Sequence, residues 1–153
     1  MCLGNICRSP LAEGVFRHQV AAAGLTEHFI IDSAGTSSWH IGDPPDARTT
    51  AVARARGVQL SGAARQVVLK DLSNFDYVLL MDEENLINVQ RIAKGKSTSA
   101  EVKLLREFDP EAFGHFDVPD PYYGGPRGFE LVHDIVERSC AALLEHIRTQ
   151  HQL

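Results

Sequence analysis

Cysteine is scarce in this chain, three in 153 residues, and tryptophan occurs once. Three thiols without paired spacing build no disulfide framework, so the expected setting is a reducing compartment, the cytoplasm. No apolar run approaches the ~20 residues of a membrane-spanning helix, and no secretory leader is read, so no membrane partner is expected. Positive charge is also short: Lys and Arg total 15 against 20 Asp and Glu, a net charge of −5. That balance speaks against a nucleic-acid partner and requires any grip on an anion to be local. The seven histidines form no ligand-like cluster, so no metal is expected, and His133 and His146 read as surface residues of a last helix. What remains is ordinary globular material, 44% apolar and 23% charged, long enough for one domain with a real core.

The chemistry concentrates in the first ten residues, MCLGNICRSP. Gly4 and Asn5 lie between Cys2 and Arg8, and Ser9-Pro10 follows. Pro10 suits a first helical turn, where its missing N–H costs nothing. Leu11, Val15, Phe16 and Val20 then repeat at helical spacing. A helix starting near Arg8 aims its unpaired N–H groups and positive dipole end back into the loop. Gly4 is expected to take φ > 0 and turn successive amides inward as an anion nest. Arg8 adds a planar fork for two phosphate oxygens. In that setting the Cys2 thiol should ionise easily, its pKa falling from ~8.5 to below about 7. A thiolate so placed is a nucleophile in line with a bound phosphorus, and Ser9 can hydrogen-bond to the sulfur. A Cys-x5-Arg spacing alone arises by accident in roughly one such sequence in six. The internal Gly and Asn and the Ser-Pro at the helix start make accident improbable.

Further along, Phe29 to Ile31 read as a short strand and SSWHIGDPPDART as a surface loop. A helix is expected from Pro45 or Asp46 to Gly57, with Arg48, Arg54 and Arg56 on a solvated face. Tyr77 to Met81 is continuously apolar, as in a parallel strand covered on both faces; Asp82 ends it and can cap the next helix. EVKLLREFD is a second, edge strand. EAFGHFDVPDPYYGGPRGFE is a long irregular loop of the kind that often carries function. From Phe129 a terminal helix turns Phe129, Val132, Ile135, Val136, Cys140, Leu143, Leu144 and Ile147 inward. Cleaving an aryl phosphate gains from an acid that protonates the departing oxygen and then, as a base, activates water. Asp109, Asp117 and Asp120 all sit in suitable loops, and the residues alone leave the choice open.

CLGNICRSP resembles the active-site loop of the low-molecular-weight protein tyrosine phosphatases, whose pattern is C-x-G-N-x-C-R-S-P. Later segments extend the resemblance along almost the whole chain: IDSAGT, AARQ, the Asp after the apolar strand, and DPYY. It implies a three-layer α/β fold with a four-stranded parallel sheet in the order 2-1-3-4, in a single domain over residues 1–153. It also implies hydrolysis of phosphotyrosine through a cysteinyl-phosphate intermediate without metal or cofactor. By resemblance Cys2 is the nucleophile, and Leu3, Gly4, Asn5, Ile6, Cys7, Arg8 and Ser9 form the phosphate loop. Asp120 is then the acid and base; Ser33 supports the loop through Asn5, and Asp82 has a secondary role near it. Trp39, His40, Tyr122 and Tyr123 are expected to line the cleft, and Cys7 to form a reversible disulfide with Cys2 under oxidation. Phosphotyrosine proteins are the implied partners, a bacterial tyrosine kinase among them, with the protein itself a monomer.

Two departures stand out. Gly62 replaces a histidine the family often has, which is expected to weaken the network behind Asn5 and Ser33. Only Met1 precedes Cys2, where the family has a central strand; the expectation is that the natural product begins upstream, because two strands without their neighbour would bury unpaired backbone groups. Phosphoarginine hydrolysis is the rival activity, disfavoured because such relatives tend to carry Thr where this chain has Ile6. Arsenate reduction needs relay cysteines, and only Cys140 is available. A phosphate-binding homologue without activity is the non-enzymatic alternative.

Overall fold

In the computed structural model, which describes residues 1–153, the helix after the loop, α1 (Arg8–Ala22), presents the expected face. Leu11, Val15, Phe16 and Val20 are all buried. Gly24, at φ 71°, closes the helix, in the left-handed region that a Cβ disfavours. The chain continues through a 3-10 turn (Thr26–His28) to α2 (Ala47–Ala55), α3 (Asp71–Asn74), β1 (Tyr77–Leu80), α4 (Glu83–Ala93), β2 (Glu101–Leu104), a second 3-10 turn (Leu105–Phe108) and α5 (Pro126–His151). Asp46 caps α2 by accepting from the Arg48 and Thr49 amides, and Asp82 caps α4 by accepting from the Asn85 amide. Such caps contribute ~1 kcal/mol each. Pro126 opens α5, where its fixed φ suits a first turn.

β1 and β2 pair in parallel, Tyr77 opposite Glu101 through Leu80 opposite Leu104. The pleat sends Tyr77 and Leu79 toward a core built by α1 and α5, with Met81, Leu105 and Val118. Val78 and Leu80 point the other way, to Leu72 and Val89 from α3 and α4. The continuous apolar run is thereby explained, since both faces of β1 are covered. All eight residues expected inward on α5 are buried. No helix is long and apolar enough to cross a membrane.

The regular part of the sheet is a two-stranded ladder, and two expectations need correction. Phe29 to Ile31 form no strand, and Ile30 is 89% exposed. A strand needs a partner along its length, and beside this segment pairing occurs only at single parallel bridges, Cys2 with Gly35 and Gly35 with Gln66. Met1 bonds on the other side, accepting from the Met81 amide at 3.0 Å. His133 is not at the surface but fully buried, because α5 packs against α2 at that turn and Arg56 donates to its Nδ1 at 3.1 Å. Arg56 in turn is half-buried and pairs with Glu130 and Asp134, both at 2.6 Å.

Candidate active site

The loop between Met1 and α1 closes around the Cys2 sulfur. Cys2 is 3% exposed; its Sγ lies 3.1 Å from Ser9 Oγ and accepts from the Asn5 amide at 3.2 Å. The amides of Leu3, Gly4, Ile6, Cys7, Arg8 and Ser9 find no acceptor within the protein. Helix α1 also lacks a side-chain cap, Cys7 standing at the cap position. A run of orphan donors at a helix start is a ready anion site. The left-handed residue is Asn5, at φ 56°, rather than Gly4. Asn is among the few residues other than glycine that tolerate this region. Gly4 leaves room instead: a Cβ there would lie 2.9 Å from the His40 ring, which would have to shift.

Asn5 is the hub behind the loop. Its Nδ2 donates to Ser9 Oγ at 2.7 Å and Ser33 Oγ at 3.0 Å, and its Oδ1 accepts from the Arg65 amide at 3.0 Å. Ser33 passes the chain on to Glu13, 2.6 Å away. The network expected to suffer from Gly62 is therefore closed without a histidine. Gly62 borders a second cleft of about 390 Å³, which Asn5, Glu13 and Ser33 also line.

Arg8 is buried beside the sulfur, and its guanidinium faces two carboxylates. Nη1 donates to Asp82 at 2.5 Å and to the Val118 carbonyl at 3.0 Å; Nη2 donates to Asp120 at 3.2 Å. Burial opposes its charge, but the bond to Asp82 and the nearby Cys2 and Asp120 charges outweigh it and raise its pKa. Asp82 uses one oxygen for Arg8 and the other to cap α4, so a strand end fixes the guanidinium's orientation. Burial pushes the Cys7 thiol up to about 12, against the lowering effect of Thr49.

Of the three candidate acids, Asp120 lines the cleft with Cys2 and Arg8, and its side chain is 41% exposed. Asp109 is buried elsewhere: burial raises its pKa, but Arg138 at 2.9 and 3.0 Å and the Glu111 amide more than compensate and lower it. Asp117 accepts from the Glu83 amide. The cleft, about 440 Å³, is lined by Cys2, Leu3, Gly4, Ile6, Cys7, Arg8, Trp39, His40, Asp120, Tyr122 and Tyr123. All four expected wall residues are thus gathered at its mouth, where the Tyr122 ring lies 4.9 Å from Tyr123 and 6.3 Å from His40. Ser33 and Asp82 stand behind it.

Sequence reasoning missed several contributors. Gly35 packs on the loop so closely that a Cβ would sit 2.8 Å from the Leu3 carbonyl; the small residues of SAGT are the only trace of it. Arg48, exposed as expected, also stacks over Tyr122 and Phe129. Glu13 and the Arg65 amide left no trace.

Residues 1–153 match the family model described as low molecular weight phosphotyrosine protein phosphatase. The chain is 46% identical to a low molecular weight protein-tyrosine-phosphatase of Streptomyces coelicolor over 98% of its length and 92% of the relative's. It superposes on the crystal structure of YfkJ from Bacillus subtilis with a TM-score of 0.89 at 42% identity, covering 97% of this chain and 92% of that one. An arginine phosphatase of Drosophila matches with a TM-score of 0.89 at 30% identity, covering 96% and 94%.

Proposed function

The chain belongs to the low molecular weight phosphotyrosine protein phosphatase family, and from that premise we propose how it hydrolyses phosphotyrosine in proteins. The free amides of the loop and Arg8 take up the three non-bridging oxygens of the phosphate. The Cys2 sulfur attacks phosphorus opposite the tyrosyl oxygen; the S–P bond forms as the P–O bond breaks. Asp120 gives its proton to the departing phenolate, so neutral tyrosine leaves. The same carboxylate then takes a proton from water, whose oxygen attacks phosphorus and expels Cys2. Ser9 steadies the leaving sulfur, and inorganic phosphate is released. Positioning and charge stabilisation carry the rate. Asp82 orients Arg8, and Asn5 and Ser33 hold the loop in shape.

One observation carries this reading: six unpartnered amides, a buried arginine and one accessible carboxylate lie around the Cys2 sulfur. We read residues 1–153 as one phosphatase domain. Its strand positions run 2-1-3-4 as the Gly35 segment, Met1–Cys2, β1 and β2; the Cys2–Gly35 bridge and the Met81 to Met1 hydrogen bond support that order. A monomer in the cytoplasm, with a bacterial tyrosine kinase among its phosphoprotein substrates, completes the proposal. Arsenate reduction is not favoured, because Cys140 is 1% exposed and burial holds its thiol at about 12.

The test is turnover of p-nitrophenyl phosphate and of phosphotyrosine and phosphoarginine peptides. Cys2→Ser should lower turnover by ~10³-fold or more while leaving the circular dichroism unchanged, and phosphotyrosine should be the better substrate. Retained activity in Cys2→Ser sinks the mechanism; preference for phosphoarginine moves the chain to the activity of its Drosophila relative.

A further inference from the structure

Arg48 stands on the first turn of α2, and its guanidinium reaches in three directions. Nε and Nη2 donate to the two oxygens of Asp46 at 3.1 and 3.0 Å. Asp46 is itself anchored to the phosphate loop, its amide donating to the Ile6 carbonyl at 2.8 Å. Nη1 donates to the Tyr122 carbonyl at 3.3 Å. The guanidinium carbon lies 5.3 Å from the Tyr122 ring centroid and 4.6 Å from that of Phe129, the latter on the first turns of α5. Tyr122 completes the path, for its amide donates to Asp120 Oδ1 at 3.1 Å.

We propose that Arg48 is a positioning residue for proton delivery, locking the segment that carries Asp120 to the phosphate loop through Asp46 and Tyr122. The inference rests on the reading of Asp120 as the acid. The segment needs such a lock. Between Asp109 and Gly125 the chain has no helix or strand, and every rotatable residue there must be ordered at an entropic cost. Asp120 has one other side-chain partner, Arg8, which the bound phosphate also uses. A lysine at position 48 has one compact charge and no plane, so it cannot bond two segments and stack on two rings together.

Proton delivery matters in proportion to how poorly the leaving group departs unprotonated. The experiment compares kcat/KM for phenyl phosphate and 2,4-dinitrophenyl phosphate in the wild type, R48M, R48K, D120N and R48M/D120N. R48M should lower the phenyl phosphate value about tenfold and the dinitrophenyl value less than about twofold, with R48K close to R48M. In the D120N background R48M should add nothing, and inhibition by inorganic phosphate should hold within about twofold throughout. Dinitrophenyl phosphate turnover doubles as the measure of folded enzyme, because a variant that merely unfolds loses both substrates alike. Equal loss on both substrates, an additive loss in the double variant, or full rescue by lysine overturns the inference. If D120N discriminates between the substrates and R48M does not, only the inference falls. If D120N itself depresses both alike, the assignment of Asp120 falls and takes the inference with it.

Discussion

Asn5 offers the sharpest test of the loop's construction, because it combines a strained backbone with a closed network. At φ 56° an alanine pays the left-handed penalty of roughly 1–2 kcal/mol, whereas a glycine does not. Either substitution removes the bonds to Ser9, Ser33 and the Arg65 amide. At a net ~1 kcal/mol each, that loss is on the order of 3 kcal/mol for both variants. Asn5 is 4% exposed, so water replaces little of what is lost. Asn5→Ala should therefore unfold at the lower urea concentration, destabilised by about 4–5 kcal/mol, and Asn5→Gly by about 3 kcal/mol. Both should bind phosphate more weakly, since the loop amides are no longer held in place before binding. Urea titration followed by circular dichroism measures the first claim, and competitive inhibition by inorganic phosphate the second. Glycine no better than alanine would refute the backbone argument. Both variants within about 0.5 kcal/mol of the wild type would refute the network argument.

Two further outcomes follow from buried groups. Burial first, and Arg56 next, lower the His133 pKa from 6.5, against the opposing Glu137, Asp134 and Glu130. The unfolded chain therefore binds the extra proton first, and stability falls as pH drops below 6.5, by at most about 1.4 kcal/mol per pH unit. Urea midpoints between about pH 7.5 and pH 5 should decline less steeply in His133→Gln; an unchanged slope refutes this. Mild peroxide should convert Cys2 to a sulfenic acid with loss of water, and the Cys7 sulfur should then displace the second oxygen, leaving a disulfide and a mass lower by two hydrogens. With Cys7 at about 12, closure should quicken about tenfold per pH unit near neutrality. A mass gain in the wild type instead would overturn it.

The sequence was most legible where one periodicity served one face. The inward residues of α1 and α5 and the doubly covered run of β1 were all read from apolar spacing. The site was legible as a motif, because Cys2, Arg8 and Ser9 lie within one turn of chain. It was illegible where function depends on contacts distant in sequence. Nothing local says that Arg48 will meet Tyr122, or that His133 will face Arg56. Phe29 to Ile31 failed for a related reason, since a strand's existence depends on its neighbour as much as on its own residues. Even the nest was misassigned by one residue. Glycine was expected to supply the positive φ, but Asn5 takes it while its side chain makes bonds no glycine could, and Gly4 is left to admit His40.

The same constraint is visible in how the helices start. α2 and α4 each begin on an aspartate that satisfies first-turn amides, the ordinary way to stabilise a helix. α1 begins on Cys7 with no side-chain cap, although Ser, Asn and Asp occur throughout the chain. An Asp cap there would satisfy the same amides that a phosphate must use, and its negative charge would repel the dianion. The omission costs stability at one helix end and leaves donors free at the one place where a sulfur and an arginine converge. α3 and α5 also begin without a side-chain cap, but only at α1 do the free donors face a sulfur and an arginine, as a functional constraint on that loop predicts.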